Sequence, residues 1–545
     1  MMKRFFIIIL ALMAGLSSCY RDKGNYSYEN INRIEITFDD DETGWTVAVG
    51  DTIQITPHFK FEADSVEDHL TYEWEFLGRV LSRERNLFYI ADALGKDNIN
   101  LRVTDSRTGV DYLASTNTEI KPEFEVEGWV VLSDNGGAML SYFRNTTKTV
   151  EEIVNGKKEE KKVYDCKDYI DVYRTINHEA LGGTPVKLLE HFASEDYEHK
   201  RGNFWIIQQG GIGTVDVGVS TFTKETTLAE QFVNGVYPEG FQPVLMAGTM
   251  WLTLAIGEDG KTYSRKKADT ELYHSGLFIP TPLTFQNKDG KIVEVDGRRM
   301  IIAPVADLHA IIVCDQTNKC FVAINDSGEK NAGGAGLVRV DEKMYNAHPN
   351  FARLDDLSGY EIVYCGSSQN DAYYGEQQYY TILKDEKTGE YYSHAFWVKY
   401  QWDSQLPKLT RIDGQEKLDL EVLNIDEKTV FNNSRKTNYL WVSKGNELWF
   451  YDRVTGRLDK FYTSFTADIT AIDSERYNGN YLGIGLANGE FHVLSSKGND
   501  IGDEAYDPKK DKDKLLYSTP KNKNLGKIVD IRYKTMGNNG WAIGG

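Results

Sequence analysis

Tyr439-Leu440-Trp441-Val442-Ser443-Lys444-Gly445-Asn446-Glu447-Leu448-Trp449-Phe450-Tyr451 reads as an apolar strand, a polar turn at Gly445-Asn446 and an apolar return strand. The same form recurs at 128–137 (Gly-Trp-Val-Val-Leu-Ser-Asp-Asn-Gly-Gly), at 203–211 and at 481–494, and Gly540-Trp541 echoes Gly128-Trp129. Repeated pairs of antiparallel strands joined by Gly-containing turns are how neighbouring strands of a propeller blade read. Helical periodicity is scarce along the chain, so the fold class is all-β. Residues 122–545 leave room for a seven- or eight-bladed β-propeller at about 40–50 residues per blade, with insertions expected near 145–200 and 365–400. Two β-sandwich domains are the competing arrangement. The ring is preferred because closure limits exposed sheet edges, and the two ends of the repeat region can complete one blade.

Residues 31–121 have a different rhythm. Candidate strands are Ile31–Phe38, Trp45–Val49, Thr52–Phe61, Leu70–Phe76, Asn86–Ile90, Ile99–Thr104 and Asp111–Ile120. In Leu70-Thr71-Tyr72-Glu73-Trp74-Glu75-Phe76 the apolar residues alternate with polar ones, which puts Leu70, Tyr72, Trp74 and Phe76 on one face of a half-buried strand. Such a strand suits the centre of a small β-sandwich, with Trp74 as its main packing residue.

Before that domain, Lys3-Arg4 precedes an uncharged run from Phe5 to Gly15, followed by Leu16-Ser17-Ser18-Cys19. A basic n-region, a short apolar stretch and small residues before a cleavage point describe a secretory signal, too short to span a bilayer. Residues 1–18 are therefore set apart from the fold, and the polar residues 20–30 read as a tether. With 82 Asp+Glu against 62 Lys+Arg and a formal charge of -20, the chain is a poor partner for nucleic acid or anionic headgroups.

Two resemblances follow from these residues. Leu16-Ser17-Ser18-Cys19 resembles the bacterial lipobox, which implies a lipidated Cys19 at the start of the tether 19–30. Tyr72-Glu73-Trp74-Glu75-Phe76 with Leu101-Arg102-Val103-Thr104-Asp105-Ser106-Arg107-Thr108-Gly109 resembles the PKD-type immunoglobulin-like domain, although Leu77-Gly78-Arg79 stands where that family has Gly-Asp-Gly. Together with the β-rich remainder, the chain resembles the PKD-like surface lipoproteins of Bacteroidetes. That resemblance implies a lipid-anchored outer-membrane protein accessory to Sus-type uptake. The partners it implies are a TonB-dependent transporter, its SusD-like lipoprotein, and a peptide or glycan ligand.

The search for chemistry returns little. Nucleophile-elbow, phosphate-loop and zincin motifs are missing, so no catalytic residue, metal ligand or cofactor is assigned. Asp39-Asp40-Asp41-Glu42-Thr43-Gly44 opens like a calcium loop, but Gly50 stands where the bidentate Glu belongs, and a solvated turn is the better reading. His178, Glu190, His191, Glu195, Asp196 and His199 fit no metal spacing. Tyr373, Tyr374, Tyr379 and Tyr380, with Trp397 and Trp402 beyond them, are candidates for stacking on a sugar or peptide, against the alternative that they pack between strands. Cys314 and Cys320 flank a hairpin-like turn and are either a disulfide or two buried thiols. The expected function is non-catalytic binding or presentation of a nutrient. A propeller glycoside hydrolase with two converging carboxylates is the alternative.

Overall fold

Trp74 sits at the centre of the first of two units, Met1–Lys121 and Pro122–Gly545, into which the chain divides. The computed structural model describes residues 32–39, 44–63, 67–154, 157–192, 202–248, 251–267, 276–302, 310–325, 333–371, 376–399, 406–434, 437–475, 479–497 and 506–534. In the first unit a five-stranded sheet runs in the order Trp45–Ala48, Val110–Lys121, Gly95–Asp105, Leu70–Phe76, Arg79–Ser82. Two further pairs, Ile34–Phe38 with Pro57–Phe61 and Thr52–Ile55 with Leu87–Ile90, supply Phe38, Ile53, Ile55 and Leu87 to the core around Trp74. The indole N–H of Trp74 donates to the Glu84 carbonyl at 3.0 Å, so burial leaves no unpaired donor.

Two local features differ from the sequence reading. The stretch expected as a single strand Thr52–Phe61 is two strands in two sheets, parted at Pro57, which has no N–H to continue a ladder and so begins the second strand. Leu77-Gly78 forms a two-residue hairpin that adds the unexpected strand Arg79–Ser82; both residues have positive φ (50° and 71°), as a type I′ turn requires.

In the second unit the described residues form seven sheets of three or more strands. The first combines Gly128–Asp134, Ala138–Val154 and Lys157–Tyr169 with Lys527–Lys534 from the far end of the chain. The second holds Thr184–Phe192, Gly202–Gln209, Val215–Gly218 and Lys224–Thr227, and the third Pro243–Gly248, Leu252–Gly257 and Thr262–Lys266. The fourth holds Met300–Ile302, Ala310–Asp315, Cys320–Asn325 and Gly334–Leu337. The fifth is built on Tyr360–Asp371, Glu376–Asp385, Tyr391–Lys399 and Lys408–Gly414. The sixth holds Phe431–Asn433, Tyr439–Lys444, Glu447–Asp452 and Leu458–Tyr462, and the seventh Ile469–Ser474, Tyr481–Leu486, Phe491–Ser495 and Leu515–Ser518.

An apolar core lies at every junction. Leu132 and Leu140 meet Leu188 and Ile206; Trp205 and Ile207 meet Met246 and Ala255; Leu254 and Ile256 meet Ile311 and Val313. Ile312 and Phe321 meet Tyr379 and Phe396; Ile382 and Tyr391 meet Leu440 and Trp449; Trp441 and Phe450 meet Ile484 and Leu494. Finally Phe491 and Val493 of the seventh sheet meet Trp129 and Ile531 of the first. An open stack of seven sheets would have six such cores; the seventh core closes the stack into a ring. The closing ladder pairs Gly128 with Lys534 and Asp134 with Lys527, so the first sheet is built from both ends of the unit. Gly540-Trp541 lies outside the described residues.

The expected insertions are corrected. Residues 360–371, 376–385 and 391–399 are the principal strands of the fifth sheet rather than an excursion from it. Much of 145–200 is regular too: an antiparallel ribbon pairs Tyr142–Val154 with Lys157–Tyr169, a short helix spans Val172–Asn177, and Thr184–Phe192 belongs to the second sheet.

Candidate functional site

One strand of each sheet (184–192, 243–248, 300–302, 360–371, 431–433, 469–474 and 527–534) touches its counterparts in the sheets on either side, which makes these seven the inner ring of the unit. Polar side chains tie several of these inner strands together. Asp530 Oδ2 accepts the Leu188 N–H at 2.9 Å, and Arg532 Nε donates to the Leu188 carbonyl at 3.2 Å while its guanidinium pairs with Asp530 at 3.1 Å. Asp473 Oδ2 accepts the Tyr533 N–H at 2.7 Å, and its Oδ1 accepts Asn432 Nδ2 at 3.2 Å. Asn433 Nδ2 donates to the Ser367 carbonyl. Inner strands share no backbone ladder with one another, so these side chains meet backbone groups that would otherwise be left unpaired near the centre.

Lys187 lies on the same ring of inner strands. It follows a bulge between Pro185 and Lys187 on the second sheet's inner strand. The residue is half-buried. Desolvation is the main influence on it and pushes its pKa down; the charge of Asp530 opposes that shift and Arg532 adds to it. The Cys365 thiol, on the fifth sheet's inner strand, adds a smaller influence in the same direction as Asp530. An amine so placed offers charge and three donors to a negatively charged group.

The residues expected to bind ligand are placed otherwise. Tyr379 lies in the core between the fourth and fifth sheets, its ring stacked on Phe396 at 5.6 Å. Tyr380, on the opposite face, lies in the next core, beneath the Arg453 guanidinium. Trp397 is buried, covered by Arg411 at 4.3 Å, and its indole N–H donates to Asp413 at 2.7 Å. Strand alternation in a sheet covered on both sides puts every ring of 379, 380 and 397 into packing, which withdraws these three as a stacking surface. Tyr373, Tyr374 and Trp402 lie outside the described residues, as does Cys19. Cys314 and Cys320 are free thiols: across the hairpin Cys314 pairs with Phe321 and Asp315 with Cys320, so the two sulfurs point to opposite faces of the sheet. Burial raises the pKa of both thiols.

Lys187, Asp473, Asp530 and Arg532 had not been singled out in the sequence. The available signal was a charged residue inside a short apolar run, as in Pro185-Val186-Lys187-Leu188-Leu189 and Ile528-Val529-Asp530-Ile531-Arg532-Tyr533.

Residues 19–185 match the PKD-like family, a match that takes in the first unit and the opening strands of the second. No curated protein matches the chain. Among solved structures, a quinoprotein alcohol dehydrogenase-like protein from Bacteroides thetaiotaomicron shares 12% identity with a TM-score of 0.36, over 90% of this chain and 97% of that one. BamB from Moraxella catarrhalis shares 9% with a TM-score of 0.31, over 76% and 89%. The WD40 domain of SCAP from fission yeast shares 12% with a TM-score of 0.33, over 74% and 92%. No helix among the described residues is long and apolar enough to cross a membrane.

Proposed function

We propose that this chain is a non-catalytic lipoprotein, held on the outer membrane of a Bacteroidetes-type cell by lipid on Cys19. In this reading a PKD-like sandwich carries a seven-bladed propeller, which binds a peptide or glycan beside a TonB-dependent transporter and its SusD-type lipoprotein. The observation that carries the non-catalytic part is the use made of the inner carboxylates. A glycoside hydrolase needs two carboxyl groups about 5–9.5 Å apart and available to a sugar. Asp473 and Asp530 instead accept hydrogen bonds from neighbouring inner strands, which suits a rigid binding platform. Lys187 also lies on an inner strand, and its ammonium fits cargo that carries a carboxylate.

Purification from native membranes with the chain as bait, followed by mass spectrometry and a screen for glycan and peptide hydrolysis, tests the reading. The expected result is a transporter in the complex and no turnover; recovery of the chain alone with hydrolysis would overturn it. In the purified chain Lys187→Met should weaken retention of carboxylate-bearing oligosaccharides or peptides and spare neutral ones. Retention in the wild type should fall as pH rises through the amine's depressed pKa, since only the protonated form carries charge. Equal retention by the wild type and Lys187→Met would remove Lys187 from the site.

A further inference from the structure

We propose that a second copy of this chain docks on the open edge of the strand Ala138–Val154, the two ribbons joining antiparallel into one four-stranded sheet with Val150 on the two-fold axis. Gly128–Asp134 pairs with this strand only as far as Arg144, whereas the ribbon partner Lys157–Tyr169 continues to Val154. The Asn145 N–H donates to the Glu127 carbonyl at 2.9 Å, and beyond it no strand among the described residues pairs with that edge. Backbone groups alternate between the two edges of a strand, and the ribbon register has no shift. The N–H and C=O of Thr147, Thr149, Glu151 and Ile153 therefore point to the open side, as those of Asn145 do. From Thr147 to Ile153 every residue is exposed except Val150, which is half-buried. A two-stranded ribbon by itself is marginally stable at best in water, and its open edge is a template for another chain.

This edge complements itself in one register. The open stretch runs from Thr146 to Val154, so Val150 is its midpoint. A two-fold axis there sets Thr149 opposite Glu151, Lys148 opposite Glu152 and Thr147 opposite Ile153 of the second copy, and every outward N–H and C=O falls in a hydrogen-bonded pair. Within one ribbon Lys148 lies 3.5 Å from Asp165, and Glu152 lies 3.4 Å from Lys161. The joined sheet thus carries a row from Lys161 and Glu152 of one copy to Lys148 and Asp165 of the other, with signs alternating across the four strands, and carries it twice. An axis at Thr149 brings no opposite charges together, and one at Glu151 sets two glutamates face to face. An edge of lysines alone would repel a second copy; here the charges at 148 and 152 are opposite and symmetric about the midpoint. Ile153, 74% exposed in one chain, gains Thr147 of the second copy as a neighbour. Because the strands run antiparallel, the two rings lie at opposite ends of the joined sheet.

The mass of the purified full chain in solution is measured by light scattering and sedimentation over a range of concentrations. The expected result is a monomer–dimer equilibrium that high salt weakens. Lys148→Glu and Glu152→Lys each set like charges opposite one another twice and should raise the dissociation constant by about tenfold. An equimolar mixture of the two variants restores opposite charges at both places and should recover the dimer, which misfolding of either variant would prevent. Val150→Cys, on the axis, should yield a disulfide-linked dimer after treatment with oxidised glutathione, beyond any formed by the wild type; Ile153→Cys, opposite Thr147, should not. A chain that is monomeric at every concentration, a dimer that neither charge variant weakens, a mixture that stays monomeric, or cross-linking through Ile153→Cys in preference to Val150→Cys would each overturn the proposal. Because it is read on the purified chain, this result stands or falls apart from the proposed transporter complex.

Discussion

The two units bury their strands in different ways, and the difference explains what each strand looks like in sequence. In the first unit Leu87–Ile90 alternates between buried and exposed residues, and Phe88 and Ile90 stand 62% and 55% exposed, because one face of that pair meets the core and the other does not. In the second unit Leu252–Gly257 and Cys320–Asn325 are buried at every position, because each sheet lies between two others. One unit therefore concentrates its packing around a single tryptophan, while the other distributes it over seven junctions that depend on one another through closure.

Removing the closing strand should break this comparison most severely. A chain ending before Lys527 loses the ladder to Gly128–Asp134 together with Ile528, Ile531 and Tyr533 from the last junction. The expected outcome is loss of the second unit's cooperative unfolding transition in calorimetry with the first unit's transition retained. A normal second transition would show that closure contributes little.

Two tryptophan truncations sharpen the contrast. Trp74→Ala and Trp129→Ala each empty a fully buried site and should cost about 3–5 kcal/mol. Trp74→Ala should lower only the first unit's transition and Trp129→Ala only the second's, as read by denaturant unfolding followed at both regions. A shift of both transitions by either variant would mean that the units do not unfold separately.

A smaller effect belongs to the second unit alone. His394 is fully buried, stacked on Phe351 at 4.0 Å, with Nε2 2.8 Å from the Ala352 carbonyl, and desolvation pushes its pKa down to about 4 from 6.5. The unfolded chain binds this proton at higher pH than the folded one, so stability falls as pH drops from about 6.5 towards 4, by up to about 3 kcal/mol. His394→Gln should be less stable at neutral pH but lose much of this acid dependence in the second transition. An unchanged acid slope in the variant would assign the dependence to other groups.

Sequence patterning made the all-β class, the Trp74 face and the strand-turn-strand form of Gly128–Gly137 and Tyr439–Tyr451 legible, because each is a local alternation or an apolar run beside a turn. It misplaced the fifth sheet because aromatics among polar residues looked like a surface, when both faces of that sheet are covered. A sharper local signal was present: in Asp385-Glu386-Lys387-Thr388-Gly389 and Asp452-Arg453-Val454-Thr455-Gly456 the Asp side chain accepts two backbone N–H groups and the Gly takes a positive φ, which marks a hairpin turn. The polar contacts between inner strands were not legible at all. Leu188 and Asp530 come together only through ring closure, and no spacing along the chain encodes a contact between residues 188 and 530.

Closure itself is tested most directly by hydrogen exchange of the amides in Lys527–Lys534, followed by mass spectrometry. Released from its ladder to Gly128–Asp134, this strand would exchange fast. The ring predicts protection of Ile528–Tyr533 matching that of the interior strand Leu252–Gly257 and lost only with the second unit's global unfolding. Exchange at the rate of unpaired backbone, with Leu252–Gly257 still protected, would contradict a closed ring.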